Sequence, residues 1–178
     1  MSQPMKGVVI GLVTSVDDPE GLGRIKVEFP WLGEGFESNW ARLATALAGP
    51  ELGAWFLPEI GDEALLAFEM DDVRRPYVLG FLWNGENPPP SSEPSERILK
   101  TVSGHKLTFN DASGDESITL EDASGVNKVV LNKDGISIET SGDFSVTANK
   151  VIVKAETSMN LEATAKLTAK GNPIHLNP

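Results

Sequence analysis

Hydrophobic and polar positions alternate along most of this chain, and the alternation predicts strands almost throughout. Val8–Val16 reads as a first strand. Asp17-Asp18-Pro19-Glu20-Gly21 has turn chemistry. Arg24–Phe29 then alternates without a break until Pro30. Trp40–Ala46 fits either a third strand or a short helix. After the Gly61-Asp62 turn, Ala64, Leu66, Phe68 and Met70 share a strand face. After Arg75-Pro76, Tyr77, Leu79, Phe81 and Trp83 share another. About five strands in about 80 residues predict a small closed barrel of the OB type.

The second half has its own rhythm. Apolar pairs at i and i+2 recur as Leu107/Phe109, Ile118/Leu120, Val129/Leu131, Ile136/Ile138, Phe144/Val146, Val151/Val153, Met159/Leu161, Leu167/Ala169 and Ile174/Leu176. Their first members are spaced 11, 11, 7, 8, 7, 8, 8 and 7 residues. Asp111-Ala112-Ser113-Gly114 returns as Asp122-Ala123-Ser124-Gly125, and Asn132-Lys133-Asp134-Gly135 follows. A pair at i, i+2 points to one face. Each unit is therefore one short strand with two inward residues and a turn.

Two inward side chains do not offset the conformational entropy of ordering an eight-residue unit. Each unit needs neighbours, and three chains wound about one axis supply them. The expected object is an intertwined homotrimeric β-helix, each strand edge paired by another chain. Its needle core is Leu107, Phe109, Ile118, Leu120, Val129, Leu131, Ile136, Ile138, Phe144, Val146, Val151, Val153, Met159, Leu161, Leu167, Ile174 and Leu176. At roughly 4.8 Å per layer, about nine layers give a needle about 40 Å long. A single-chain parallel β-helix with three short sides per turn remains geometrically open.

Composition divides the chain at the same place. All four Trp and the single Tyr precede residue 84, and Ser95–Asn172 contains no proline, as a continuous ladder requires. Pro88, Pro89, Pro90 and Pro94 form a stiff connector. The expected domains are a barrel over 1–84, a Pro-rich linker over 85–96 and a needle over 97–178. The chain has no cysteine, which excludes disulfides and thiolate metal sites. Its net charge of −11, with no Lys/Arg cluster, argues against nucleic acid as a partner. No apolar run has the length of a membrane helix, and the N-terminus lacks signal-peptide organisation.

Candidate chemistry is thin. Asp71/Asp72 and Asp62/Glu63 are paired carboxylates at expected turns. Adjacent strand side chains face opposite ways, so neither pair spans a cleft as hydrolysis requires. No phosphate loop, metal spacing or nucleophile elbow is present. We therefore expect no enzyme activity, no catalytic residue, no cofactor and no metal. His105 reads as a surface residue. Trp31, Trp40 and Trp55 read as packing or interface groups.

One resemblance covers nearly the whole chain. Pro58–Glu69, Asp71–Gly85, Gly23–Pro30 and Trp40-Ala41-Arg42 resemble the OB-domain signature of VgrG and phage baseplate protein V spikes. The downstream repeat is similar in kind to that family's triple-stranded β-helix. The resemblance implies a structural central spike at the tip of a contractile injection machine: a phage tail baseplate, an R-type bacteriocin or an extracellular injection particle. It implies a trimeric hub at the barrel end, expected here as a separate polypeptide. It also implies a PAAR-like tip protein at the other end, effectors, and transient contact with a target membrane. Such a spike assembles in the cytoplasm without a signal peptide. Some relatives carry a lysozyme domain between barrel and needle, but only the short linker lies there. Some phage spikes end in a His-x-His iron site; here His175 stands alone. Ile174, His175 and Leu176 are the expected docking platform for the tip partner. The alternative function is an OB-fold module binding nucleic acid or glycan on a trimerising stalk.

Overall fold

The computed structural model describes residues 6–33 and 35–175. Leu176 lies outside the described residues. The first sheet contains β1 (Val8–Ser15), β2 (Lys26–Glu28), β3 (Arg42–Leu43), β6 (Glu63–Phe68) and β7 (Pro76–Leu82), in the order β2-β1-β6-β7-β3. All its pairings are antiparallel except β3 with β7. An Ile25–Ala41 bridge joins the β2 and β3 sides and closes the barrel. Inside lie Val13, Ile25, Val27, Phe29, Ala41, Ala64, Leu66, Phe68 and Val78, all buried. Alternation built this core: every second residue of β6 is buried, on the face that holds Ala64, Leu66 and Phe68. The ambiguous Trp40–Ala46 stretch resolves as β3.

Between β3 and β6 the chain leaves the barrel as a small arm. It contains the hairpin of β4 (Ala48–Gly49) and β5 (Leu52–Gly53). No period in the sequence announces it.

The second sheet is a meander of five five-residue strands: β8 (Glu96–Lys100), β9 (Lys106–Asn110), β10 (Ser117–Glu121), β11 (Lys128–Asn132) and β12 (Gly135–Glu139). Each pairs antiparallel with its neighbour in the same chain. This corrects one expectation. Between Glu96 and Glu139 the inner strands β9, β10 and β11 are paired on both edges within the chain, and β8 and β12 each keep one free edge. The physical reason is turn chemistry. The connections 111–116 and 122–127 each carry a left-handed glycine, Gly114 (φ 86°) and Gly125 (φ 71°). Asn132 accepts the N–H of Asp134 and of Gly135, closing a two-residue hairpin turn. β8 was not expected as part of the repeat. From Thr140 to His175 no strand forms within the chain, and every residue is exposed. No helix among the described residues is long and apolar enough to cross a membrane.

Candidate assembly surfaces

Directly opposed residues of an antiparallel ladder share a face. The registers of the meander therefore align its apolar residues in two rows. Leu99 pairs with Leu107, Leu107 with Leu120, Leu120 with Val129, and Val129 with Ile138. Beside that row run Arg97, Phe109, Ile118, Leu131 and Ile136. The eight needle-core residues expected from Leu107 to Ile138 thus occupy one face. That face is open to solvent in the single chain: Leu120 is 56%, Ile138 57% and Ile136 71% exposed.

The opposite face is mixed, with Ile98 and Val130 in its central row beside threonines and charged pairs at its margins. Thr108 and Thr119 are neighbours on it. Lys106 pairs with Glu121 at 2.5 Å, and Lys128 with Glu139 at 3.3 Å. These partly exposed pairs fix register and solubility more than they add stability. A sheet with one mixed face and one bare apolar face requires something to cover the latter.

The remaining expected core residues, Phe144, Val146, Val151, Val153, Met159, Leu161, Leu167 and Ile174, all lie in the exposed segment beyond the meander. His175 is exposed at its end. Of the expected tip platform, Ile174 and His175 are described and Leu176 is not.

In the barrel, Asp62, Glu63 and Asp72 of the carboxylates singled out in the sequence have hydrogen-bond partners. Asp72 accepts from the Arg74 guanidinium through both oxygens, at 2.9 and 2.8 Å. That contact lowers its pKa to about 2. Asp62 accepts the N–H of Glu59 at 2.9 Å. Glu63 belongs to strand β6 rather than to a turn, and accepts from Asn84 at 3.0 Å. Met70 and Asp71 both adopt left-handed backbone conformations (φ 52° and 61°), so the Asp71/Asp72 pair is a tight structural turn. His105 sits in the β8–β9 turn, accepting from Thr101 at its carbonyl. Among the described residues no cluster of three or more His, Cys, Asp or Glu is arranged to hold a metal.

The tryptophans are engaged structurally. Trp31 donates from Nε1 to the Ile10 carbonyl at 3.0 Å. Trp40 receives Arg24 and Lys26 over its ring, at 5.9 and 5.4 Å from the centroid. Arg24 is itself held by Asp18, a residue the sequence marked only as turn chemistry. Asp18 Oδ1 lies 2.7 Å from the guanidinium, and its side chain is only 3% exposed. It also accepts the N–H groups of Glu20, Leu22 and Arg24. The Arg24 contact first, and the backbone donors after it, hold this carboxyl well below the usual range against the opposing effect of burial.

A barrel of this order, followed by a sheet with an uncovered apolar face, defines a two-part β-structural protein built to assemble. The comparisons agree. Residues 9–83 match the type VI secretion system/phage-baseplate injector OB domain. Residues 96–171 match the phage baseplate V C-terminal trimerisation domain. The type VI secretion system spike protein VgrG2a of Pseudomonas aeruginosa is 29% identical over 140 residues, 72% of this chain and 17% of that protein. The actin cross-linking toxin VgrG1 of Vibrio cholerae is 26% identical over 195 residues, covering 98% of this chain and 18% of that protein. The spike protein VgrG3 of Vibrio cholerae is 29% identical over 131 residues, 66% of this chain and 13% of that protein. The chain therefore carries the injector OB domain and the phage baseplate V C-terminal trimerisation domain, and is similar to VgrG spike proteins. It spans less than a fifth of the length of these curated relatives.

Proposed function

We propose that this chain is the central spike of a contractile injection apparatus and works as a homotrimer without bond chemistry of its own. One observation carries the reading. The meander presents a single apolar face with nothing of its own chain over it, and the segment after it repeats the same i, i+2 pattern with no strand partner in its own chain. Three copies about one axis would place the three apolar faces together. They would also give the 140–175 segment the backbone partners that buried ladders require.

A three-chain ladder is stiff along its length, because every strand is tied to two others. In this reading the barrel end docks on a hub, the end at Ile174, His175 and Leu176 receives a tip protein, and the driven needle concentrates force on the target membrane. The particle would be a phage tail, a tail-like bacteriocin or an extracellular injection system.

The test is assembly. Light scattering should give three times the 19.1 kDa chain mass. Ile138→Asp should abolish that trimer, because it gathers three carboxylates at an apolar axis. A stable monomeric parent, or a normally assembled Ile138→Asp variant, would overturn the reading.

A further inference from the structure

The arm between β3 and β6 is tied to the barrel at its base and folded on itself beyond it. Ala44 donates its N–H to the Val78 carbonyl at 2.8 Å, Ala54 to Leu47 at 3.1 Å, and Thr45 Oγ1 to Ala54 at 2.9 Å. Between arm and barrel lies a groove of about 1000 Å³, walled by Leu22, Leu43, Leu47, Leu52, Trp55 and Phe81. The Trp55 ring packs against Gly23. A Cβ at Gly23 would stand 2.5 Å from the ring, so only glycine permits this seat. Yet Trp55 remains 69% exposed and Leu47 58%. The aromatic wall is fixed in place, and its open side is apolar.

The groove opens at the end of the barrel from which the linker departs. β3 runs parallel to β7 and pairs with Tyr77 and Val78, so the arm leaves beside the first half of β7 and heads toward its C-terminal end. Phe81 of β7 is itself part of the wall, three residues before Asn84. Two hydrogen-bonded turns then bracket the linker. In the first, Asn84 donates to Glu63 and accepts the N–H groups of Glu86 and Asn87. In the second, Ser91 donates to Glu96 at 2.5 Å and accepts the N–H of Glu93 at 3.0 Å. Between them stand Pro88, Pro89 and Pro90, all exposed. A proline run is an extended, preorganised ridge about 9 Å long at ~3.1 Å per residue, and aromatic-walled apolar grooves are its usual receptors. No linker residue lines its own groove.

We infer that in the trimer each barrel's arm groove receives the Pro88–Pro90 ridge of a neighbouring protomer. This rests on the trimer proposed above. The match to the trimerisation domain begins at residue 96, so in that trimer the three linkers would approach one axis. A cyclic trimer is held by unlike surfaces, one donor and one acceptor per protomer, and the ring closes after three steps. Ridge and groove are such a pair. The strap would couple barrels to needle, so that an axial thrust on the barrels is not lost as rotation about the linkers.

The chain has no cysteine, so an engineered pair reports cleanly. Leu52→Cys combined with Pro89→Cys should, on mild oxidation of the assembled protein, give a covalent trimer on a boiled, non-reducing gel. Neither single variant should do so. A covalent monomer would place the ridge in its own groove, and an uncross-linked trimer would leave it docked nowhere; either overturns the inference while the trimer stands. A monomeric parent protein overturns the trimer and the strap together. A second measurement does not depend on cysteine geometry. Trp55→Ala should keep the trimer while glutamyl endopeptidase cuts after Glu86 at least about tenfold faster. Trimeric Trp55→Ala cut at the parental rate overturns the strap.

Discussion

Asp18 organises the first turn of the barrel from a single buried carboxylate. It satisfies three backbone donors and fixes Arg24, which in turn lies over Trp40. Its pKa is depressed in the folded chain, so the sign of the pH effect is set. The stabilisation is fully present above the ordinary carboxylate range and is lost as pH falls through the lower folded value. Asp18→Ala should lower the melting temperature by several degrees at pH 7, and the difference from the parent should shrink in strong acid; thermal melts across pH check both. Gly11 shows a different constraint. A Cβ there would meet the Glu28 carbonyl at 2.9 Å and Val27 at 3.2 Å. Gly11→Val should destabilise the barrel by about 1–3 kcal/mol through overpacking, read as an earlier denaturation midpoint. Neither role was legible in the sequence. A turn motif gives the backbone shape, but not which carboxylate will be enclosed or which strand will press on a glycine.

At the scale of elements, β6 was legible because alternation and burial coincide there, with Ala64, Leu66 and Phe68 inside. At β7, by contrast, the face of Leu79, Phe81 and Trp83 is exposed and Val78 is buried. The meander was legible in its strands and misread in its pairing. Its i, i+2 pairs correctly grouped residues such as Leu107 and Ile138 on one face, but a face says nothing about whose edge completes the ladder. The turns carried that information: Asn132-Lys133-Asp134-Gly135 is a hairpin signal, and the Asp-Ala-Ser-Gly repeats close longer returns. Gly125→Ala tests this reading. It puts a side chain at φ 71° and should cost about 1–2 kcal/mol. The expected outcome is faster amide exchange in β10 and β11 with the barrel amides unchanged. The arm was invisible because Ala44–Gly53 has neither period; its groove depends on contacts between distant segments, Gly23 with Trp55 above all.

At the scale of the whole molecule, the chain falls into a barrel with its own ladder and core, a meander with its own ladder but an uncovered apolar face and two free edges, and a last segment with neither ladder nor core. This gradient matters for stability. Backbone donors in an exposed single chain bond water, and they are withdrawn from water only when other chains supply acceptors. Exchange of the 144–172 amides should therefore be slow in the assembled protein, although the chain itself gives them no ladder. In the Ile138→Asp variant those amides should exchange at unprotected rates, while Val13, Ile25, Val27 and Leu66 in the barrel core stay protected. The two populations separate because the barrel's apolar burial needs no partner and the last segment's ladder needs two. Hydrogen exchange read by mass spectrometry on trimer and variant measures both regions in one experiment. Free exchange across 144–172 in the intact trimer would show that the segment is no interchain ladder, leaving the meander's apolar face as the sole site of assembly.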